Sequence, residues 1–400
     1  MEQNLQLNKR IESIDIVRGI VMIIMALDHV RDFFHFSANI DNPLNLNTTT
    51  NFLFFTRYIT HFCAPTFVFL SGTSIYLQSL RKTKKELSLF LLKRGLWLIF
   101  AELFIISLSW TFDPFFHFFG LQVIWAIGIS MVIMSLIVQF NYKIVLAIGL
   151  IIVFGHNLLD FVEASPYFKH NFIFDLIHSG RDSMYSYLPN RFIMIIYPFL
   201  PWVGLMILGY CLGKLYTPAF TQEARIKILR YLGLSLLVFF VILRYANFYG
   251  DPNPWTTQKS GWFTFLSFLD IHKYPPSLLY MSITVGVTLL ALSITEKIKN
   301  TFSNVAVIYG RTAFFYYILH FYFIHLFATL LFFIRGEHTL TEAFKSMEKM
   351  PFLFVFPGEG YSLGVVYVIW IGLVLLLYPL CKSYNQYKTN HKEKWWLSYL

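Results

Sequence analysis

The sequence predicts an all-α, polytopic integral membrane bundle of about ten transmembrane helices with both termini in the cytoplasm. Three observations carry this. Of 400 residues, 56% are hydrophobic and only 14% charged, whereas soluble domains carry about a quarter. The apolar residues gather into runs of spanning length instead of amphipathic stripes. The basic residues concentrate in alternate connections, as cytoplasmic loops do. These features exclude a water-soluble enzyme, a nucleic-acid-binding protein and a disordered chain. The net charge of +10 therefore reads as orientation in a membrane, and no nucleic-acid partner is expected. The chain reads as a single transmembrane domain over 1–400, with a cytoplasmic N-terminal segment, 1–13, and a cytoplasmic interfacial tail, 382–400.

The first span, 14–35, follows Lys9, Arg10 and includes Arg18; no small-x-small cleavage site follows, so it is retained as a helix. The second, 53–78, contains Pro65, which predicts a kink. The third, 89–110, stands behind the basic cluster Arg81, Lys82, Lys84, Lys85, Lys93 and Arg94. Further spans are expected at 121–140, 143–161, 191–215, 229–246, 275–295, 304–333 and 361–381. An inside N-terminus places 21 of the 32 basic residues on the cytoplasmic side. The long connections 36–52, 162–190, 247–274 and 334–360 then face outward, as in a protein that handles something there. The closing stretch from Lys394 through Trp395 and Trp396 to Tyr399 and Leu400 reads as an aromatic interfacial anchor. Cys63, Cys211 and Cys381 are far apart and form no metal-ligand pattern, so neither a disulfide nor a zinc site is expected.

Ionisable groups inside spans are costly and mark either function or structural ion pairs. The first span carries the densest set: Asp15 and Arg18, an apolar stretch, then Asp28, His29, Arg31, Asp32 and His35. At 1.5 Å per residue His29 lies ~16 Å beyond Arg18. Helical spacing pairs Asp28 with Arg31 and His29 with Asp32. An imidazole held by a carboxylate suits a general base; the bland alternative is an ion-pair belt with a packing histidine. Arg57 and His61 share a face of the second span and could meet these carboxylates, as ion pairs or as part of one polar pocket. Lys93 and Arg94 open the third span and Arg311 the ninth. Cations converging on a cytoplasmic mouth suit a phosphate-bearing ligand, although positive-inside anchoring also explains Lys93. His320 and His325, five residues apart in the ninth span, do not form the i, i+4 pair a metal favours. Glu102 and Gln122 complete the embedded polar set, with packing roles expected.

The block Arg10-Ile11-Glu12-Ser13-Ile14-Asp15-Ile16-Val17-Arg18-Gly19, followed by the apolar run into Asp28-His29-Val30-Arg31-Asp32-Phe33-Phe34, resembles the opening signature of the bacterial relatives of heparan-α-glucosaminide N-acetyltransferase. The stretches 55–65, 197–204 and 310–320 are similar to later blocks of that family. The Arg-Gly-apolar-His spacing is also shared, more distantly, with acyltransferase-3 membrane proteins, whose catalytic histidine corresponds to His29. The eukaryotic relative has asparagine there and a proposed catalytic histidine nearer His35, so the resemblance leaves His29 and His35 as alternatives, with His29 favoured.

The resemblance implies a multi-pass enzyme of the bacterial cytoplasmic membrane that moves an acetyl group from cytoplasmic acetyl-CoA to an amine or hydroxyl of an amino sugar or envelope glycan on the outer face. It implies acetyl-CoA as acyl donor, without a metal. Arg18, Lys93, Arg94 and Arg311 would hold the CoA phosphates; Asp28, His29, Asp32 and His35 would carry the chemistry; Arg31, Arg57, His61 and His320 would contact the acceptor. Direct transfer and a covalent acetyl-histidine both remain open. The expected partners are the lipid bilayer, acetyl-CoA and a sugar or glycan acceptor, with a homodimer left open. Two other classes fit the same charges: a transporter or channel for a sugar or anionic solute, and a structural membrane protein.

Overall fold

The computed structural model describes residues 10–180, 183–347 and 350–398. Lys9, Tyr399 and Leu400, named above in the charge pattern and the anchor, lie outside them. The chain opens with α1 (Glu12–Phe34), whose first turn carries Glu12 and Asp15 against the helix dipole. Next come α2 (Asn51–Thr60) and α3 (Cys63–Ser79). A capping box between Thr83 and Glu86 starts α4 (Lys84–Phe100), which continues through a π-helical segment (Ala101–Ile106) into α5 (Ser107–Thr111). Strand β1 (Phe118–Leu121) leads into α6 (Val123–Ile137) and α7 (Tyr142–Gly155). The short helices α8 (Leu158–Glu163) and α9 (Phe172–Ile177) precede a hairpin of β2 (Ser183–Leu188) and β3 (Arg191–Ile195). The remaining helices are α10 (Phe199–Leu212), α11 (Gln222–Ala246), α12 (Gly261–Leu269), α13 (Leu278–Thr295), α14 (Thr301–Arg311), α15 (Ala313–Arg335), α16 (Leu340–Ser346) and α17 (Leu363–Asn390).

Among the described residues seven helical segments are long and apolar enough to cross a membrane, which makes this a mostly helical, multi-pass membrane protein. The first helix falls outside those seven because six charged residues interrupt its 23 positions. It is nevertheless the central element, wrapped by α2, α3, α13, α14, α15 and α17. Burial separates inner from peripheral helices. The apolar windows of Phe199–Tyr216 and Leu278–Thr295 are 72% buried, that of Leu363–Asn390 only 17%, leaving α17 an apolar surface for lipid.

Small residues let helix backbones touch where side chains would hold them apart. A Cβ added at Gly19 would sit 1.8 Å from the Ala306 carbonyl oxygen, and one at Gly310 would sit 1.9 Å from that of Asp15. The crossing of α1 and α14 is thus sealed from both sides. Gly72 and Gly209 do the same for α3 and α10.

Three expectations are corrected. A three-stranded sheet, order β1-β3-β2, stands among the helices, with β1 parallel and β2 antiparallel to β3. The apolar run 191–197 therefore begins as strand, and the sixth span starts only at Phe199. A short apolar run does not distinguish the two states, and Pro198 at the N-cap fixes the helix start. The second span is two helices, broken at His61 and Phe62, and the ninth is broken at Thr312, whose φ of −114° and ψ of 25° lie outside the α region.

Candidate active site

The last two turns of α1 build the polar centre. Arg31 places Nη1 2.9 Å from Asp28 Oδ1 and Nη2 2.6 Å from Asp32 Oδ1, while Arg57 of α2 donates to Asp28 Oδ2. Asp28 thus neutralises two guanidinium groups and ties α1 to α2. These residues and His29 line a cavity of about 390 Å³. Its other polar walls are Asn39 and Asp41 from the loop after α1, Thr60 of α2, Cys63 of α3, Trp110 of α5, Gln122 and Tyr197, Lys273 and Tyr274 from the loop before α13, and Tyr317 of α15.

The pairing of His29 with Asp32 does not form. Asp32 is taken by its neighbour Arg31, and the His29 ring turns to α15, with its centroid 4.3 Å from Phe321 and 5.2 Å from His320. Among the described residues, His29 Nδ1 is buried without a hydrogen-bond partner. His35 is not part of the wall; it ends α1, its Nδ1 2.9 Å from Ser37 Oγ. His61 and His320 are also behind the lining. His61 packs on Tyr280, whose hydroxyl donates to the His61 carbonyl at 2.6 Å, and His320 is fully buried with Nδ1 3.2 Å from the Tyr316 carbonyl. His325 bridges the carbonyls of Ser109 and Leu353 at 3.1 and 2.7 Å, a packing role.

Lys273, Tyr274, Trp110, Tyr197 and Tyr317 are site residues that the sequence reading does not single out. Lys273 is only 8% exposed and, among the described residues, has no carboxylate within ion-pair distance. Its position is built from afar. Arg244, 1% exposed, donates to the carbonyls of Asn253, Ser267, Phe268 and Asp270, folding the loop 247–274 inward. Asp251 Oδ2 accepts from the His272 amide and the Ser277 hydroxyl, both at 2.8 Å, gripping the chain on either side of Lys273. Burial pushes the pKa of the Tyr274 phenol up, but Lys273 and Arg57 outweigh it and hold the group below its ordinary value. No local pattern marks this lysine, because a cation in a long outer loop reads as solvated.

A second cavity, about 780 Å³, opens at the other end of α1. Eight of its described lining residues are Lys or Arg, among them Arg10, Arg18, Lys82, Arg94, Arg311 and Lys392, and none is acidic. Arg10 and the stretch from Lys388 to Leu397 line it together, so the two ends of the described chain meet there. Asp15, just behind, gathers Arg10 at 2.6 Å, Arg311 at 3.2 Å and Arg18 at 3.8 Å, and Arg18 Nη2 also donates to Ser74 Oγ at 2.9 Å. Arg18, Arg94 and Arg311 therefore converge, whereas Lys93 is exposed and outside the lining. The two cavities adjoin: Phe67, Ala313 and Phe314 line both. Among the described residues no group of His, Cys, Asp and Glu could hold a metal ion, and all three cysteines are buried free thiols.

The basic chamber fits a polyanionic ligand on the chemistry of its donors, since guanidinium forks and ammonium groups match phosphate oxygens and Asp15, the carboxylate behind the wall, is outnumbered by the three arginines it gathers. The opposite cavity offers an imidazole, carboxylates and hydroxyls to a polar ligand. A family model described as heparan-alpha-glucosaminide N-acetyltransferase, catalytic, matches residues 10–245, more than half of the chain. The matched region carries α1 to α10 and all of α11 but its last residue, hence Asp28, His29, Arg31, Asp32 and Arg57. No curated protein matches the chain.

Proposed function

The chain belongs to the heparan-alpha-glucosaminide N-acetyltransferase catalytic family, a membrane acetyltransferase type, and from that premise we propose that it carries an acetyl group from acetyl-CoA at its basic end to an amine or hydroxyl of a sugar or envelope glycan at the other. The observation that carries this reading is the meeting of the two cavities at Phe67, Ala313 and Phe314. A basic chamber on one side and a His/Asp/Arg cavity on the other are what transfer across a bilayer requires. With the N-terminus inside, the bacterial inner membrane holds about ten spans and the basic chamber faces the cytoplasm, where acetyl-CoA is made.

Arg18, Arg94 and Arg311, with the lysines of the tail, would hold the phosphates of the donor. His29 is the better candidate for proton transfer. It lines the outer cavity, whereas His35 is held by Ser37 away from it. Its imidazole would take the proton of the attacking amine or hydroxyl. The ring is set by Phe321 and His320 on α15, so Asp32 serves to hold Arg31. Arg57, Lys273 and the Asp28–Arg31 pair would present fixed charges to the acceptor.

Purified protein in detergent or nanodiscs should bind acetyl-CoA and release CoA in the presence of glucosamine. His29→Ala should lower that release at least about a hundredfold without lowering the melting temperature, and His35→Ala should leave most of it. Protein that moves sugar in vesicles but neither binds nor cleaves acetyl-CoA would sink the enzyme reading in favour of transport. Single-turnover trapping with labelled acetyl-CoA separates direct transfer, with no label on protein, from an acetyl-histidine.

A further inference from the structure

Two residues of the outer cavity wall carry buried hydrogen-bond donors with no partner among the described residues: the indole Nε1 of Trp110 and the hydroxyl of Tyr317. Tyr317 is 3% exposed. Such a donor costs about 1–3 kcal/mol when left unmatched, so its retention on a cavity wall calls for an explanation in the ligand. The chemistry of the missing partner is specific. An indole N–H only donates, and a buried phenol without a partner has its proton to offer. Both therefore await an acceptor oxygen.

The two donors come from different elements but are gathered on one ring. Phe321 lies 4.3 Å from His29, 5.3 Å from Tyr317 and 6.0 Å from Trp110, centroid to centroid. Trp110 is delivered by the turn that follows the π-helical segment Ala101–Ile106, an irregularity frequent at functional sites. Tyr317 stands one turn past the Thr312 break. Hence the group suited to take a proton and two groups suited to receive an oxygen share a single packing centre.

We propose, resting on the acyl-transfer reading above, that Trp110 Nε1–H and Tyr317 O–H are catalytic donors that receive the carbonyl oxygen of the thioester as it gains negative charge. The acceptor's nitrogen or oxygen adds to the carbonyl carbon and gives one proton to His29. The carbonyl π pair moves to the oxygen between the two donors. The C–S bond then breaks as the C=O re-forms, the pair leaves on sulfur, and His29 returns the proton to that sulfur, giving CoA thiol and the acetylated acceptor. Removal of one such donor costs about 10²–10³ in kcat, because it acts where charge develops and adds little to ground-state binding.

Trp110→Phe and Tyr317→Phe keep the ring packing and delete only the donor. In the full-length protein, with acetyl-CoA and glucosamine as probes, kcat for CoA release should fall about a hundredfold in each variant, while the acetyl-CoA Kd changes by less than about twofold. The infrared carbonyl band of bound acetyl-CoA labelled with carbon-13 at the carbonyl should be lowered relative to solution in the wild type and move back in each variant. Variants with kcat within about threefold of wild type overturn the proposal while leaving the acyl-transfer reading intact. So does a wild-type band at its solution frequency, which needs no variant to fold. A wild type that neither binds acetyl-CoA nor releases CoA fails the reading itself, and the donor assignment with it.

Discussion

Asp28 is the residue on which the cavity around His29 depends, since one carboxylate answers both Arg31 and Arg57. Asp28→Asn leaves two buried guanidinium groups facing an amide, and breaking a buried pair from one side costs about 3–5 kcal/mol. We expect a large fall in melting temperature in detergent, whereas Asp32→Asn should cost less because Arg31 keeps Asp28. Equal effects of the two substitutions would refute this ranking. The i, i+3 spacing of Asp28 and Arg31 is legible in the sequence, and the pair forms. The same spacing for His29 and Asp32 misleads, because spacing says which residues are neighbours on a helix but not which of several neighbours wins a carboxylate. A charge-assisted pair with Arg31 outcompetes an imidazole.

At the scale of elements, the loop 247–274 is the part least visible in sequence and most dependent on a buried charge. Arg244 binds four of its backbone carbonyls, a job that neither lysine nor methionine could fill. Asp270, at the end of α12, shares this environment. Burial and the nearby Asp251 push its carboxyl up to about 6, with Arg244 opposing. A carboxyl raised in the folded state stabilises below its unfolded value near 4, and that contribution is lost as pH rises toward 6. Asp270→Asn should therefore raise the melting temperature at pH 7 and above, with the gain shrinking to nothing below about pH 4. Melting curves across that window check it; a gain independent of pH would contradict the titration. The apolar runs overlap the seven helical segments long enough to span a membrane, whereas the short helices α9, α12 and α16 stand in stretches read as connections. The breaks at His61 and Thr312 and the strand at 191–195 escape, because hydropathy counts apolar residues without registering backbone geometry.

For the whole molecule, the arrangement that matters is polarity along α1: a basic chamber at one end, a cavity lined by Asp28, His29 and Asp32 at the other, and a shared wall of Phe67, Ala313 and Phe314. The chamber is basic, so the acetyl-CoA binding proposed for it should fall with salt and with charge reversal. Lys82→Glu combined with Lys392→Glu should weaken acetyl-CoA binding about tenfold or more, equivalent to about 1.4 kcal/mol, and flatten the salt dependence, with fold and melting temperature preserved. Unchanged affinity by calorimetry would show that the chamber is only an orientation signal.

Composition, run length and charge placement determine by themselves that this is a helical multi-pass membrane protein, and the Arg10–Phe34 block points to its family. Those properties are local or additive, so a linear reading captures them. Only the tertiary structure decides that Arg10, Arg18, Arg311 and the C-terminal tail surround one chamber, that Lys273, Trp110 and Tyr317 join His29, and that Lys93, His35 and His61 do not line either cavity. Such convergence is set by helix crossings, as at Gly19 and Gly310, and by a loop folded onto Arg244, contacts between residues tens to hundreds of positions apart that no window along the chain contains.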